Sequence, residues 1–370
     1  MEDDDRRSFS LISTVGMESI YTPAEQDTDE FEWVYPSDDS ERSQGDLSST
    51  CSTSVPPSIH ELEYEHGRCY HSYMSGRYPL PNDEGEQFRE KIEHALMLYL
   101  SDGKLFLSDI CDSPQRIIDI GTGTGQSSAT LTFFVADKGL ADLYPTASVI
   151  GTDLSPIQPN WMPLNAQMFV EDCEDPEWPN GAEFDLVHLR SVAGYLLDLD
   201  SMVNNAYEHL KCGGWIEFQE FDHSVLCDDG TMQQDDPLRV FFDTCARGMR
   251  KYGCTSFGKL DIRSVLKHAG FKRIQVVRKK VPISPWARDE RMKTIGKLMK
   301  ARILESLDAL AAKPLVALGM TLEQRQDMVN SALKSLGDGG IHRYMNYCFY
   351  FGQKDEMGSG LNSGLTFDAS

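Results

Sequence analysis

The sequence has 370 residues and a formal net charge of −23, from 58 Asp and Glu against 35 Lys and Arg. That length allows one large domain or two modest ones, and a hydrophobic content of 40% allows a real core. A surface this acidic repels phosphate backbones, which disfavours a nucleic-acid substrate and suits a neutral or basic partner.

The nine cysteines are scattered, with no Cys-x-x-Cys pair, and read as reduced thiols of an intracellular protein, cytoplasmic or nuclear. No early apolar stretch points to a signal peptide or a membrane span.

Residues 1–60 carry 14 acidic residues against three Arg and no Lys, a net −11. They hold too few aliphatic side chains to offset the entropy of ordering, so an acidic disordered tail is expected. Phe31–Tyr35 is its one apolar patch.

Over residues 61–115 the aromatics rise. Tyr64, Tyr70, Tyr73 and Tyr78 interleave with Arg68, His71 and Arg77 and predict an aromatic flap or a packed linker. His66, Cys69 and His71 lie close together, but a structural zinc site needs four ligands and no second cluster follows, so no metal is expected. Asp83 and Glu86 form a variant capping box that opens a helix. Phe88, Ile92, Ala95, Leu96, Tyr99 and Leu100 recur at helical spacing and predict its buried face.

The next stretch, Arg116-Ile-Ile-Asp-Ile-Gly-Thr-Gly-Thr-Gly-Gln126, organises the rest. Ile117, Ile118 and Ile120 form a short β-branched run, as a buried parallel strand does. Gly121, Gly123 and Gly125 then let the backbone turn tightly and approach a ligand. Strand, glycine loop and helix build a nucleotide site in open α/β sheets. Gln126 occupies the sixth position of the dinucleotide fingerprint, where glycine is required, and no Lys-Ser/Thr pair makes a P-loop. What remains is Asp-x-Gly-x-Gly-x-Gly. The acid suits a ligand bearing an ammonium group, such as S-adenosylmethionine.

A crossover helix is predicted over Gln126–Leu140, then a strand over Ala147–Asp153. Asp153 ends that strand where a ribose hydroxyl is bound. Gln167–Val170 is the third strand. One of Glu171, Asp172, Glu174 and Asp175 after it suits the adenine amino group. Strands follow at Phe184–Arg190, Trp215–Phe221 and Phe271–Val277. Helices are predicted from Leu199 to Leu210, ended by Gly213-Gly214, and over Phe241–Lys251 and Asp261–His268. Arg278-Lys279-Lys280 reads as a solvated strand end. Helices around Met292–Ala312 and Leu322–Leu336 precede a last strand, Tyr344–Phe351, and residues 355–370 form a loose tail.

Together these pieces resemble the LaeA-like S-adenosylmethionine-dependent methyltransferases of fungi. The resemblance rests on the glycine loop, Val149-Ile-Gly-Thr-Asp-Leu-Ser-Pro-Ile-Gln-Pro159, Phe184–Arg190, His209-Leu-Lys-Cys-Gly-Gly-Trp215, Tyr70–Tyr78, Cys227–Gly230 and Val281–Trp286. It implies an α/β class I methyltransferase fold, Rossmann-like. This has a seven-stranded, mostly parallel sheet with the last strand antiparallel, an N-terminal helical segment and a helical insertion before the last strand. The methyltransferase domain would span 116–354. The insertion, about 287–336, is expected to lie over the strand ends or beside the sheet and, with the aromatic segment Tyr70–Tyr78, to close a lid on the cleft.

The resemblance places Asp119, Gly121, Thr122, Gly123 and Gly125 around the methionine end of S-adenosyl-L-methionine. It places Asp153 and Leu154 at the ribose and Asp172 at the adenine. Cys212 departs from the family's Leu-Lys-Pro-Gly-Gly, and the segment between Gly125 and Pro145 is longer than usual. The family includes tailoring methyltransferases of secondary metabolism and regulators that act with velvet-type proteins. The partner implied is therefore a small-molecule methyl acceptor, or a regulatory protein of that kind.

Methyl transfer needs acceptor and methyl held close, aligned and away from water. A general base is needed only where the acceptor arrives protonated. His188, Glu220 and His223 are the candidates, because they sit at or just after the carboxyl halves of strands. A plain nicotinamide-dependent oxidoreductase is disfavoured by Gln126 and by the lack of an obvious Tyr-x-x-x-Lys.

Overall fold

The computed structural model describes residues 62–125, 139–158, 162–255 and 257–355. The acidic segment 1–60, nearly all of the predicted crossover helix and the tail Met357–Ser370 lie outside the described residues.

The described chain opens with a hairpin, β1 (Leu62–Glu65) and β2 (Arg68–His71). Its turn places His66 at φ 52° and Gly67 at φ 75°. The aromatic segment thus begins as paired strands, which irregular aromatic spacing did not predict. Cys69 is buried in β2, and His71 Nδ1 lies 2.7 Å from the Tyr73 carbonyl oxygen.

Helix α1 (Glu84–Leu100) follows, capped by Asp83, whose carboxylate accepts the Glu86 N–H. Its orientation differs from the one its apolar spacing predicts. Glu86, Arg89, Glu93 and His94 are buried, whereas Phe88, Ile92 and Ala95 are half-buried and Tyr99 is exposed.

The central sheet comprises β3 (Arg116–Ile120), β4 (Ser148–Asp153), β5 (Ala166–Val170), β6 (Phe184–Arg190), β7 (Leu210–Phe221), β8 (Lys272–Pro282) and β9 (Tyr344–Gln353). Its order is β5-β4-β3-β6-β7-β9-β8. β9 runs antiparallel to both neighbours and every other pairing is parallel, so six strands are parallel and the last is reversed.

The inner strands read as continuous apolar runs because both faces are covered. On one face Ile117, Val149, Leu186 and Trp215 join a core that includes α1, α4 (Pro237–Tyr252) and α6 (Glu290–Ala311). On the other, Ile118, Ile150, Val187 and Ile216 meet α3 (Leu199–His209) and α5 (Ile262–His268). A single turn, α2 (Leu140–Leu143), leads into β4.

Gly213-Gly214 does not end a helix. α3 stops at His209 and β7 begins at Leu210. Gly213 takes φ 80°, and a Cβ on Gly214 would stand 2.7 Å from the Phe184 carbonyl oxygen. The pair therefore serves a register shift between β6 and β7. β8 also runs past its predicted end, so Arg278-Lys279-Lys280 lies inside this edge strand, where charge blunts unwanted strand pairing.

The insertion is α6, α7 (Lys313–Ala317) and α8 (Leu322–Leu336). α6 packs along α1, and α7 and α8 pack on α4.

Candidate functional site

The strand order reverses between β3 and β6, and the carboxyl ends of strands at such a switch point leave a crevice for ligands. The glycine loop leaves β3 there. The Gly121 and Thr122 amides donate to the Thr152 carbonyl oxygen at 2.8 and 3.0 Å, tying the loop to β4. Gly121 has φ 66°, and a Cβ on it would lie 2.3 Å from Val192 Cγ2. Gly123 has φ 56°, and its Cβ would lie 2.7 Å from Glu90 Oε2. Only glycine fits these two turns without strain.

Asp153 closes the loop from β4. Its Oδ2 accepts the Gly123 N–H and its Oδ1 the Ser155 N–H, each at 2.8 Å. Burial pushes its carboxyl up to about 6, and the two backbone donors work the other way.

Asp119 acts from behind the loop. Its Oδ1 lies 2.7 Å from His188 Nδ1, and its Oδ2 accepts the Thr122 hydroxyl at 3.0 Å. Both Asp119 and His188 are buried. The carboxylate that sequence reasoning aimed at a ligand ammonium also ties the loop to β6 through these two contacts.

The cleft has a cavity volume of about 140 Å³. Of the residues named for the cofactor, Gly121, Thr122, Gly123, Asp153, Leu154 and Asp172 line it, and Asp119 and Gly125 do not. Asp172 is paired across the cleft mouth. Its Oδ2 receives Arg77 Nε at 3.1 Å, while Arg77 also pairs with Glu174 and donates to the Tyr195 carbonyl oxygen at 3.3 Å. Arg77 therefore straps the aromatic segment over the ends of β5 and β6.

The opposite wall is α1. Arg89 bonds Glu86 Oε1 at 2.6 Å and pairs with Glu93. Glu93 also takes Arg302 Nε of α6 at 2.8 Å and the Ser191 hydroxyl. Burial raises the Glu93 carboxyl, but the Arg302 and Arg89 guanidiniums outweigh it and hold the group well below the usual range. Glu90 makes no ion pair among the described residues. Burial pushes it up to about 8, partly offset by Arg89.

None of the three candidate bases lines the cleft. His188 faces Asp119. Glu220 Oε1 accepts the Val192 and Ala193 amides at 2.9 and 2.8 Å, anchoring the loop after β6. His223 stacks on Phe257 with ring centroids 4.5 Å apart. Burial and the Arg302 charge lower its pKa to about 3, which leaves a very weak base. The insertion also stays off the cleft, since no residue of 287–336 lines it. It reaches the site only through Arg302, which buttresses α1.

Sequence reasoning placed Arg190 and Tyr195 at the cleft, where both lie, but missed Arg77, Glu86, Arg89, Glu90 and Glu93, all of which line it. A signal was present: Glu86, Arg89, Glu90 and Glu93 recur at helical spacing in a helix with an incomplete apolar face.

The arrangement suits S-adenosylmethionine. The glycine loop is a cradle that side chains would fill, and Asp153 stands at its rim. A family model described as a methyltransferase domain matches residues 88–276, from α1 into β8. Methyltransferase pytC of Aspergillus terreus is 32% identical over 84% of this chain and 93% of its own length. Secondary metabolism regulator LAE1 of Cochliobolus heterostrophus is 33% identical over 76% of this chain and 91% of its own. The regulator laeA of Aspergillus fumigatus is 29% identical over 81% and 79%. With the glycine cradle at the switch point and this family match over the elements that build it, the chain belongs to the methyltransferase-domain family and is an S-adenosylmethionine-dependent methyltransferase of class I, Rossmann-like fold.

Proposed function

We propose that this methyltransferase acts on a small molecule of secondary metabolism and holds its cofactor in the cleft between the glycine loop and α1. The observation that carries the reading is the Arg77 strap, which ties the aromatic segment to Asp172 and the Tyr195 carbonyl and walls the cleft from two sides. A walled cleft suits a compact ligand.

In this reading Gly121, Thr122 and Gly123 bear the methionine end, and the unpartnered Nη1 of Arg190 takes its carboxylate. Asp153 and Leu154 hold the ribose, and Asp172 lies at the adenine side. Bound there, S-adenosylmethionine supplies an electrophilic methyl group on a sulfonium. The protein's own share is to orient the acceptor, exclude water and fix the loop, which Asp119, His188 and Glu220 do from behind. pytC, named a methyltransferase, supports this reading.

A second reading is favoured by the relatives named secondary metabolism regulators. In it the chain acts on or through a protein partner of the velvet type, in nucleus or cytoplasm.

The two separate in one assay. Labelled S-adenosylmethionine is incubated with the protein and either a low-mass extract of a strain lacking the gene or purified histones. Label in a low-mass product is the expected result. Label confined to protein overturns the small-molecule reading.

A further inference from the structure

The cleft wall at the start of α1 holds polar atoms that no group among the described residues satisfies. Asn82 is 7% exposed, and neither its Nδ2 nor its Oδ1 has a hydrogen-bond partner. Glu86, one helical turn on, is 2% exposed; Arg89 takes its Oε1, and its Oε2 has no partner. Both residues line the cleft. A buried carboxylate oxygen without a donor is costly, and such groups in native structures call for an explanation.

Two aromatic rings complete the wall. Tyr78 and Tyr195 line the same cleft with centroids 5.0 Å apart and planes at 66°. Burial keeps both phenols un-ionised, and the nearby Glu86 charge acts in the same direction. Ring faces attract a cation, and a carboxylate beside them adds charge and a hydrogen-bond acceptor. The guanidiniums of Arg89 and Arg302 are taken up by Glu86 and Glu93, which still leaves Glu86 Oε2 without a donor among the described residues. Glu86 Oε2 and Asn82 Oδ1 are therefore two acceptors on this wall that still lack a donor among the described residues.

We propose that Tyr78, Asn82, Glu86 and Tyr195 form the methyl-acceptor subsite and that the acceptor is an amine, methylated on nitrogen. This rests on the small-molecule reading above. The amine enters as an ammonium, donates to Glu86 Oε2 and Asn82 Oδ1, and lies against the two rings. It gives one proton to the Glu86 carboxylate. The freed lone pair then forms the new N–C bond as the C–S bond of the sulfonium breaks, with that bond's electron pair staying on sulfur. The methylated ammonium leaves, and Glu86 returns its proton to water.

The test uses the full chain, labelled S-adenosylmethionine and three probes of one shape: phenethylamine, 2-phenylethanol and 3-phenylpropionate. Label should enter the amine at least about tenfold faster than the alcohol, with none in the acid, as expected where the site's own groups discriminate. Glu86→Gln should lower transfer to the amine by about 100-fold, the low end of general-base effects. Its affinity for S-adenosylhomocysteine, read by calorimetry, should stay unchanged. Asn82→Ala, outside the ion-pair network, should raise KM for the amine at constant melting temperature.

Faster transfer to the alcohol or acid overturns the proposal. So does a Glu86→Gln variant that loses S-adenosylhomocysteine, since the carboxylate would then serve the cofactor. If the amine stays unlabelled while the low-mass extract is labelled, the amine assignment falls and the small-molecule reading stands. If no low-mass compound is labelled at all, both fall.

Discussion

At the residue scale, Asp153 works by being half-buried and ionisable at once. Its carboxyl sits near 6 because burial opposes charge more than the Gly123 and Ser155 amides favour it. The folded chain thus holds this proton more tightly than the unfolded chain does. In the free protein, this contribution to stability is fully present below the unfolded value and is lost as pH rises through about 6. Ribose binding runs the other way, because hydroxyls donate best to the ionised carboxylate. Affinity for S-adenosylhomocysteine should be flat above pH about 7 and fall below about 6, by up to about tenfold per unit. Calorimetry from pH 5 to 8 checks this, and Asp153→Asn should remove the slope.

His188 and Asp119 teach a related lesson. Both are chemically capable residues at strand ends, and the sequence made Asp119 a candidate for holding the cofactor and His188 a candidate base. Paired at 2.7 Å across adjacent strands, they are instead the backing of the loop. Which side of a strand end a polar residue serves depends on its cross-strand neighbour, and that pairing is not written in local spacing.

At the scale of elements, the glycine loop, β4 with its terminal Asp153 and the strand β6 were legible. Each is a short apolar run ended by residues whose chemistry is local. α1 was legible as a helix but not in its orientation. Phe88, Ile92 and Tyr99 suggested one buried face, yet Glu86, Arg89 and Glu93 turn inward. The reason is Arg302, 209 residues away in sequence, which compensates Glu93. The charged residues do recur at helical spacing, but nothing local in the sequence names the distant partner that lets them turn inward.

This network gives the element-scale prediction. Glu93→Ala leaves Arg89 and Arg302 buried without their shared carboxylate and frees the Ser191 hydroxyl. Breaking a buried pair in this way costs about 3–5 kcal/mol. Urea unfolding should show a loss of that size.

The β6–β7 bulge gives another. Gly214→Val would force a side chain against the Phe184 carbonyl oxygen, now 2.7 Å from the ideal Cβ position. Overpacking of this kind costs about 1–3 kcal/mol. The melting temperature should fall accordingly, and an unchanged value would contradict the close approach.

At the scale of the whole molecule, the two walls of the cleft are built by different parts of the chain. The loops after β3, β4 and β5 make one wall, and α1 with the strapped aromatic segment and the loop after β6 makes the other. The insertion stands behind the second wall and steadies it through Arg302. Among the described residues no helix is long and apolar enough to cross a membrane.

The central claim is that the glycine loop cradles S-adenosylmethionine, and calorimetry with S-adenosylhomocysteine on the parent chain and Gly123→Val tests it most directly. Gly123 sits at φ 56° with Glu90 Oε2 2.7 Å from where a Cβ would stand, so valine fills the cradle. The account predicts clear binding by the parent and a loss of at least about 100-fold in the variant, equivalent to about 2.7 kcal/mol, with both proteins folded by circular dichroism. A folded Gly123→Val variant that binds as tightly as the parent would contradict it.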